Sequence, residues 1–218
     1  MRHLLRLSLP ALLAPACALA SLPPGLLPAG EHRPGVPQPD LGAHYTTHPA
    51  LLAYVRALAA AAPERVKLLI LNVTEEGREQ PFLVISSPEN LKRLDELQAL
   101  NAKLADPRTC GEDEARRIAE TNPAFVWLGY SVHGSEASGS EAALAVAYHF
   151  AAGRSPEVEK QLEHVVLLMD LTQNPDGQAR HLQAVAEATT PFNTCDPMDA
   201  ENTTRWPGGR FNHRLFDL

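Results

Sequence analysis

Residues 125–171 read FVWLGYSVHGSEASGSEAALAVAYHFAAGRSPEVEKQLEHVVLLMDL. Two almost wholly apolar runs, Phe125–Val132 and Val165–Leu171, frame this stretch. Runs of that kind suit strands buried on both faces. Between them, Gly139–Ala152 is rich in small residues, and a shorter segment begins at Ser155-Pro156; both read as helices. Strand, helix, strand with such apolar strands is a βαβ unit. The expected fold class is α/β, with a mostly parallel or mixed sheet flanked by helices.

Working outward, Leu51, Leu52, Val55, Leu58, Ala59 and Ala62 recur at helical spacing after Thr47, and Pro63 stops them. Val66–Val73 and Phe82–Ser86 have strand character. Glu75-Glu76-Gly77-Arg78 supplies the turn between them, so the pair reads as a hairpin. Ser87-Pro88-Glu89-Asn90 opens a helix expected to run to about Leu104, and a further helix is expected over about 112–120. Residues 189–210 carry Pro191, Pro197, Pro207, Gly208 and Gly209 and read as loop. No internal repeat is visible.

The chain has 218 residues, 19 basic and 26 acidic, for a net charge of −7. That balance argues against nucleic acid as a partner, which calls for a basic face. The first 20 residues begin with Arg2 and Arg6, continue as an apolar stretch broken by Pro10 and Pro15, and end in Ala18-Leu19-Ala20. This is the pattern of a secretory signal, and the apolar run is too short to span a membrane. The expectation is export, secreted or periplasmic; lipidation at Cys17 is the rival. Cleavage after Ala20 leaves 17 basic against 26 acidic residues, a net −9, and two cysteines, Cys110 and Cys195. Whether those two bond is open at this level, as is the oligomeric state. Residues 21–44 hold six prolines and read as an extended arm rather than a packed element. Asn72-Val73-Thr74 and Asn202-Thr203-Thr204 fit the glycosylation pattern, relevant only in a secreting eukaryote.

Ligands of a parallel α/β sheet sit beyond the carboxyl ends of its strands. His133-Gly134-Ser135-Glu136 follows the first apolar run, and Gln173-Asn174-Pro175-Asp176-Gly177 follows the second. His133 and Glu136 are three apart at a loop-to-helix junction, and an imidazole with a carboxylate suits zinc. The spacing alone is weak: with 9 His and 17 Glu, chance supplies roughly 0.7 such pairs. The competing reading is a surface histidine and a helix-capping glutamate. Asn174–Gly177 is a turn by composition. His149, His164 and His181 read as surface or interhelical residues, and Arg205, Arg210 and His213 as basic residues around a loop.

Taken together, Val132-His133-Gly134-Ser135-Glu136, the small-residue helix, the second strand, Gln173-Asn174-Pro175-Asp176-Gly177 and the segment Trp206–Leu218 resemble the zinc metallocarboxypeptidases of the carboxypeptidase A type. The hairpin with Glu76-Gly77-Arg78 fits that family's early strands. The resemblance covers residues 45–218 and implies a phosphorylase/hydrolase-like architecture, incomplete at its C-terminus. It implies Zn2+ as cofactor, a peptide as substrate, and hydrolysis near the peptide's C-terminus. His133 and Glu136 match the first two metal ligands. Arg210, with Arg205 as the alternative, matches the arginine that polarises the scissile carbonyl and contacts substrate. The Asn-Arg pair that holds the substrate carboxylate, the third ligand and the general base are expected beyond residue 218, so the fragment itself is expected to be inactive. Two alternatives stay open: a cell-wall peptide hydrolase or amino-acid deacylase of the same fold, and a non-catalytic secreted binding module.

Overall fold

The computed structural model describes residues 32–42, 44–189, 195–200, 202–203 and 206–218. Residues 1–20, read above as a signal, Cys17 among them, and Arg205 lie outside the described residues. Seven helices and four strands follow one another among those described: α1 (His48–Ala61), β1 (Val66–Val73), β2 (Glu79–Ile85), α2 (Pro88–Lys92), α3 (Leu94–Ala105), α4 (Glu112–Thr121), β3 (Ala124–Gly129), α5 (Ala137–Ala152), α6 (Pro156–His164), β4 (Val165–Asp170) and α7 (Pro175–Ala188). No helix among the described residues is long and apolar enough to cross a membrane.

The strands form one mixed sheet in the order β1-β2-β4-β3. β1 and β2 are the expected antiparallel hairpin, with Gly77 at φ +80° in its turn. β2 also pairs antiparallel with β4, and β3 runs parallel to β4 from Ala124↔Val165 to Gly129↔Asp170. The βαβ unit read from residues 125–171 is therefore present, with α5 and α6 as its crossover.

Alternation along the strands divides the core in two. Leu83, Ile85, Leu167 and Met169 face α1 and α5, where they meet Leu51, Val55, Leu58, Ala143, Leu144 and Ala147. Val84 and Val166 point the other way, to Leu97 of α3 and its neighbours Leu91 and Leu94. The alanines of α5 let that helix lie close to the sheet.

Three expectations need correction. The Phe125–Val132 run is not a strand buried on both faces. It leaves the sheet at Gly129, and β3 is an edge strand with Trp127 66% exposed and Val126 36% exposed. Apolarity records a need for burial but not which neighbour supplies it. The helix expected from Ser87 to Leu104 is broken at Arg93 (φ −114°, ψ 25°). Asn90, just before the break, donates to the carbonyls of Leu162 (3.1 Å) and Glu163 (3.0 Å), which ties α2 to the end of α6. The last part of the Pro-rich arm forms no helix or strand, yet it is packed. Val36 joins the core, the Arg33 N–H donates to the Ala152 carbonyl (2.8 Å), and the Tyr54 hydroxyl donates to the Pro37 carbonyl (3.2 Å). Cys110 is buried, Cys195 is exposed, and no disulfide joins them.

Leu144 is 1% exposed at the meeting of α5 and the sheet. Leu144→Ala should cost about 2–5 kcal/mol, read as a fall in the urea midpoint with unchanged slope.

Candidate functional site

Three loops meet beyond the carboxyl ends of β3 and β4: residues 130–136, residues 171–174 and residues 206–213. Their contact is made by backbone. The Gly134 N–H donates to the Gly209 carbonyl at 2.7 Å. A Cβ on Gly134 would lie 1.9 Å from the Gln178 nitrogen, one on Gly177 2.2 Å from the Gly209 oxygen, and one on Gly209 2.4 Å from the Ser135 nitrogen. No side chain fits at any of the three positions.

Asn174 locks this arrangement. Its backbone N–H donates to Ser131 (3.2 Å). Its side-chain oxygen accepts from the Gly177 N–H (2.8 Å), capping α7 with Pro175 in the first helical position. Its amide nitrogen lies 3.3 Å from each of the carbonyls of Gly209, Arg210 and Phe211. Arg180, one turn into α7, donates to the carbonyls of Gly208 and Phe211 and pairs with Glu76 (2.6 Å). Asp176 accepts from Thr74 and Arg78, both at 2.8 Å, joining α7 to the hairpin.

On this frame sit His133, Glu136 and Arg210. His133 Nδ1 is 3.1 Å from Glu136 Oε1 and 3.5 Å from an Arg210 guanidinium nitrogen. His133 Nε2 lies 2.7 Å from the Leu218 carbonyl oxygen and 3.6 Å from Asp217 Oδ1. Arg210 Nε donates to Asp217 Oδ1 at 2.7 Å. The His133 side chain is 15% exposed, that of Glu136 62%. The structure thus brings together three of the four residues singled out from sequence, while Arg205 lies outside the described residues. His213 turns instead to the hairpin, 3.9 Å from Glu75.

The donor pair suits zinc. Two ligands bound about 2.0–2.2 Å from one tetrahedral ion stand roughly 3.3–3.6 Å apart, a few tenths of an ångström more than the His133–Glu136 separation. No group of three or more His, Cys, Asp or Glu able to hold a metal ion occurs among the described residues.

Sequence reasoning missed the clamp. Asn174 followed by Pro175 carries a helix N-cap signal, and that signal was available behind the turn composition. Nothing local announces that its amide reaches the 209–211 carbonyls, or that Gly134, Gly177 and Gly209 meet.

A family model described as zinc carboxypeptidase matches residues 51–214, and the chain belongs to that family. No curated protein matches. Among solved structures, the chain is similar to thrombin activatable fibrinolysis inhibitor (TAFI), with a TM-score of 0.43 at 12% identity. That match covers 64% of this chain and 28% of the other, so the chain spans well under half the length of the protein it resembles.

Gly177→Ala puts a methyl group into the Gly209 carbonyl, whereas Gly111 has open space around it and φ −72°. Gly177→Ala should therefore cost about 3 kcal/mol or more in chemical denaturation, and Gly111→Ser, at a helix N-cap, close to nothing. Equal stability of the two variants would show that the loops do not depend on this contact.

Proposed function

We propose that this chain carries part of the site of a zinc-dependent carboxypeptidase, in which His133 and Glu136 are metal ligands and Arg210 faces the substrate. The observation that supports it most is the meeting of His133, Glu136 and Arg210 from two separate loops, within the stretch matched by the zinc carboxypeptidase family. Zinc, when bound, supplies Lewis acidity to a carbonyl and to a water molecule.

The chain's own residues then have distinct tasks. His133 presents a neutral ring nitrogen as a donor, and Glu136 brings a negative charge to the same point. Arg210 presents N–H donors where an amide carbonyl gains negative charge as it is attacked. Its backbone is held by Asn174 and its Nε by Asp217, so few degrees of freedom remain to be fixed when substrate arrives. The substrate class is a peptide cut near its C-terminus. The basic start, apolar stretch and Ala18-Leu19-Ala20 support an exported protein.

The test is release of C-terminal residues from blocked dipeptides by the full-length protein, with and without a chelator. His133→Ala should abolish chelator-sensitive turnover, and Arg210→Ala should lower kcat by about 10²–10³-fold. Turnover of muropeptides in place of these substrates would move the activity to the cell wall. Unchanged turnover in His133→Ala would remove the metal assignment.

A second measurement uses the 218-residue chain. With two donors meeting among the described residues, it should hold zinc weakly in competition with a chromophoric chelator. Tight stoichiometric binding would show that a third donor is within reach.

A further inference from the structure

Two non-glycine residues among those described have a left-handed backbone, Ser131 (φ 51°) and Leu215 (φ 62°). An L-residue there brings its Cβ against the following carbonyl, so glycine, asparagine or aspartate is the usual occupant. Leu215 is exposed near the end of the chain, whereas Ser131 is 6% exposed and lies two residues before His133. Such a conformation persists only where the surroundings hold it, and these positions gather at functional sites.

The surroundings of Ser131 hold it from two sides. After β3 ends at Gly129, the chain stays tied to the segment that follows β4. The Tyr130 N–H donates to the Asp170 carbonyl (3.0 Å), and the carbonyls of Tyr130 and Ser131 accept from the N–H groups of Gln173 (2.9 Å) and Asn174 (3.2 Å). On the other side lies Gly139 of α5, where a Cβ would stand 3.4 Å from the Ser131 nitrogen. At Ser131 the chain turns out of the line of β3 and enters the loop that carries His133 and Glu136.

The side chain adds what glycine lacks. The Ser131 hydroxyl donates to the His133 carbonyl at 3.1 Å. The same carbonyl accepts from the Glu136 N–H at 2.9 Å, the bond that closes the turn from His133 to Glu136. Both lone pairs of that oxygen are then taken. This turn sets the separation of the two donors, His133 Nδ1 and Glu136 Oε1, which stand 3.1 Å apart. Glycine at 131 would make the backbone turn without steric cost, but would leave the carbonyl with one donor and the turn less restrained.

We propose that Ser131 is a positioning residue for the metal-ligand pair. Its hydroxyl fixes the His133–Glu136 turn, so that both donors face one point before a metal arrives. It acts through the His133 backbone and touches neither substrate nor metal. This role rests on the reading of His133 and Glu136 as ligands. Groups that orient metal ligands typically carry about 10–100-fold in metal affinity, because binding then has less freedom to remove.

Ser131→Gly and Ser131→Ala in the full-length protein separate strain from hydroxyl. Both lose the hydroxyl, and only glycine sheds the left-handed cost. Ser131→Gly should therefore melt within about 2 °C of the parent, and above Ser131→Ala. Both should bind zinc about tenfold less tightly in competition with a chromophoric chelator. Both should exchange the Glu136 amide about fivefold faster in metal-free protein. With zinc in excess, kcat on blocked dipeptides should return to the parent's value, since Arg210 is untouched. Parental zinc affinity in either variant, an unchanged Glu136 amide, affinity that follows melting temperature, or a kcat that excess zinc does not restore would each overturn the role. Unchanged zinc affinity in His133→Ala would instead remove the ligand reading. The Glu136 amide, which needs no metal, would still decide whether the hydroxyl holds the turn.

Discussion

Three glycines in backbone contact set the geometry on which the site depends. Gly134 and Gly209 come from two loops and Gly177 from the first turn of α7, and each lies where a Cβ would strike a backbone atom of another of these segments. Contact at that range buries N–H and carbonyl groups, which must then be satisfied. The Gly134 N–H is answered by the Gly209 carbonyl. The carbonyls of residues 209–211 converge on the amide of one side chain, Asn174, which is 4% exposed. The close approach and the buried amide therefore need each other. Without the glycines the loops stand apart, and without Asn174 the Arg210 carbonyl loses its donor while those of Gly209 and Phe211 keep only Gly134 and Arg180.

The sheet explains why these loops meet where they do. β4 is the inner strand between β2 and β3, and its parallel partner β3 ends level with it at Gly129↔Asp170. Both chains therefore leave the sheet at one end, and the Tyr130 N–H still reaches the Asp170 carbonyl at 3.0 Å as they part. Asp170 marks the change from apolar strand to polar loop. Burial pushes its carboxyl pKa up, and Gln80 on β2 offers its amide at 3.3 and 3.4 Å. On the far side β3 has no neighbouring strand among the described residues, which leaves Trp127 open on an edge, the kind of edge that invites a further strand to pair with it.

What could be read from the chain follows the range of the interactions involved. The hairpin, the βαβ unit and the starts of α1 and α6 rest on local periodicity and on Pro near a cap, and each was legible. His133 and Glu136 were legible as a pair because three residues on one loop are enough to bring them together. The break at Arg93 was not, because its cause is Asn90 reaching the carbonyls at the end of α6, more than 70 residues on. The exposure of β3 was not, because an apolar run carries no record of strand order. The packed state of Val36 was hidden for a related reason: a Pro-rich segment can be irregular and still fill a gap in the core. The glycine contact and the Asn174 amide are tertiary in the same sense, and composition alone made that segment a turn.

The division of labour between loops also has a physical logic. His133 and Glu136 share one short loop, so their separation is set locally and needs little from the rest of the fold. Arg210 arrives on another loop, and its position relative to His133 is fixed through Gly209, Asn174 and Arg180 and through Asp217, which both side chains approach. Its side chain nevertheless remains half exposed, tethered at Nε by Asp217 with Nη1 3.5 Å from His133 Nδ1. A cation on a locked backbone with an accessible end can meet developing charge without the main chain having to rearrange. A change of the Asn174 side chain therefore frees residues 209–211 and, through the Gly209 carbonyl that accepts from Gly134, also reaches the loop that holds His133 and Glu136.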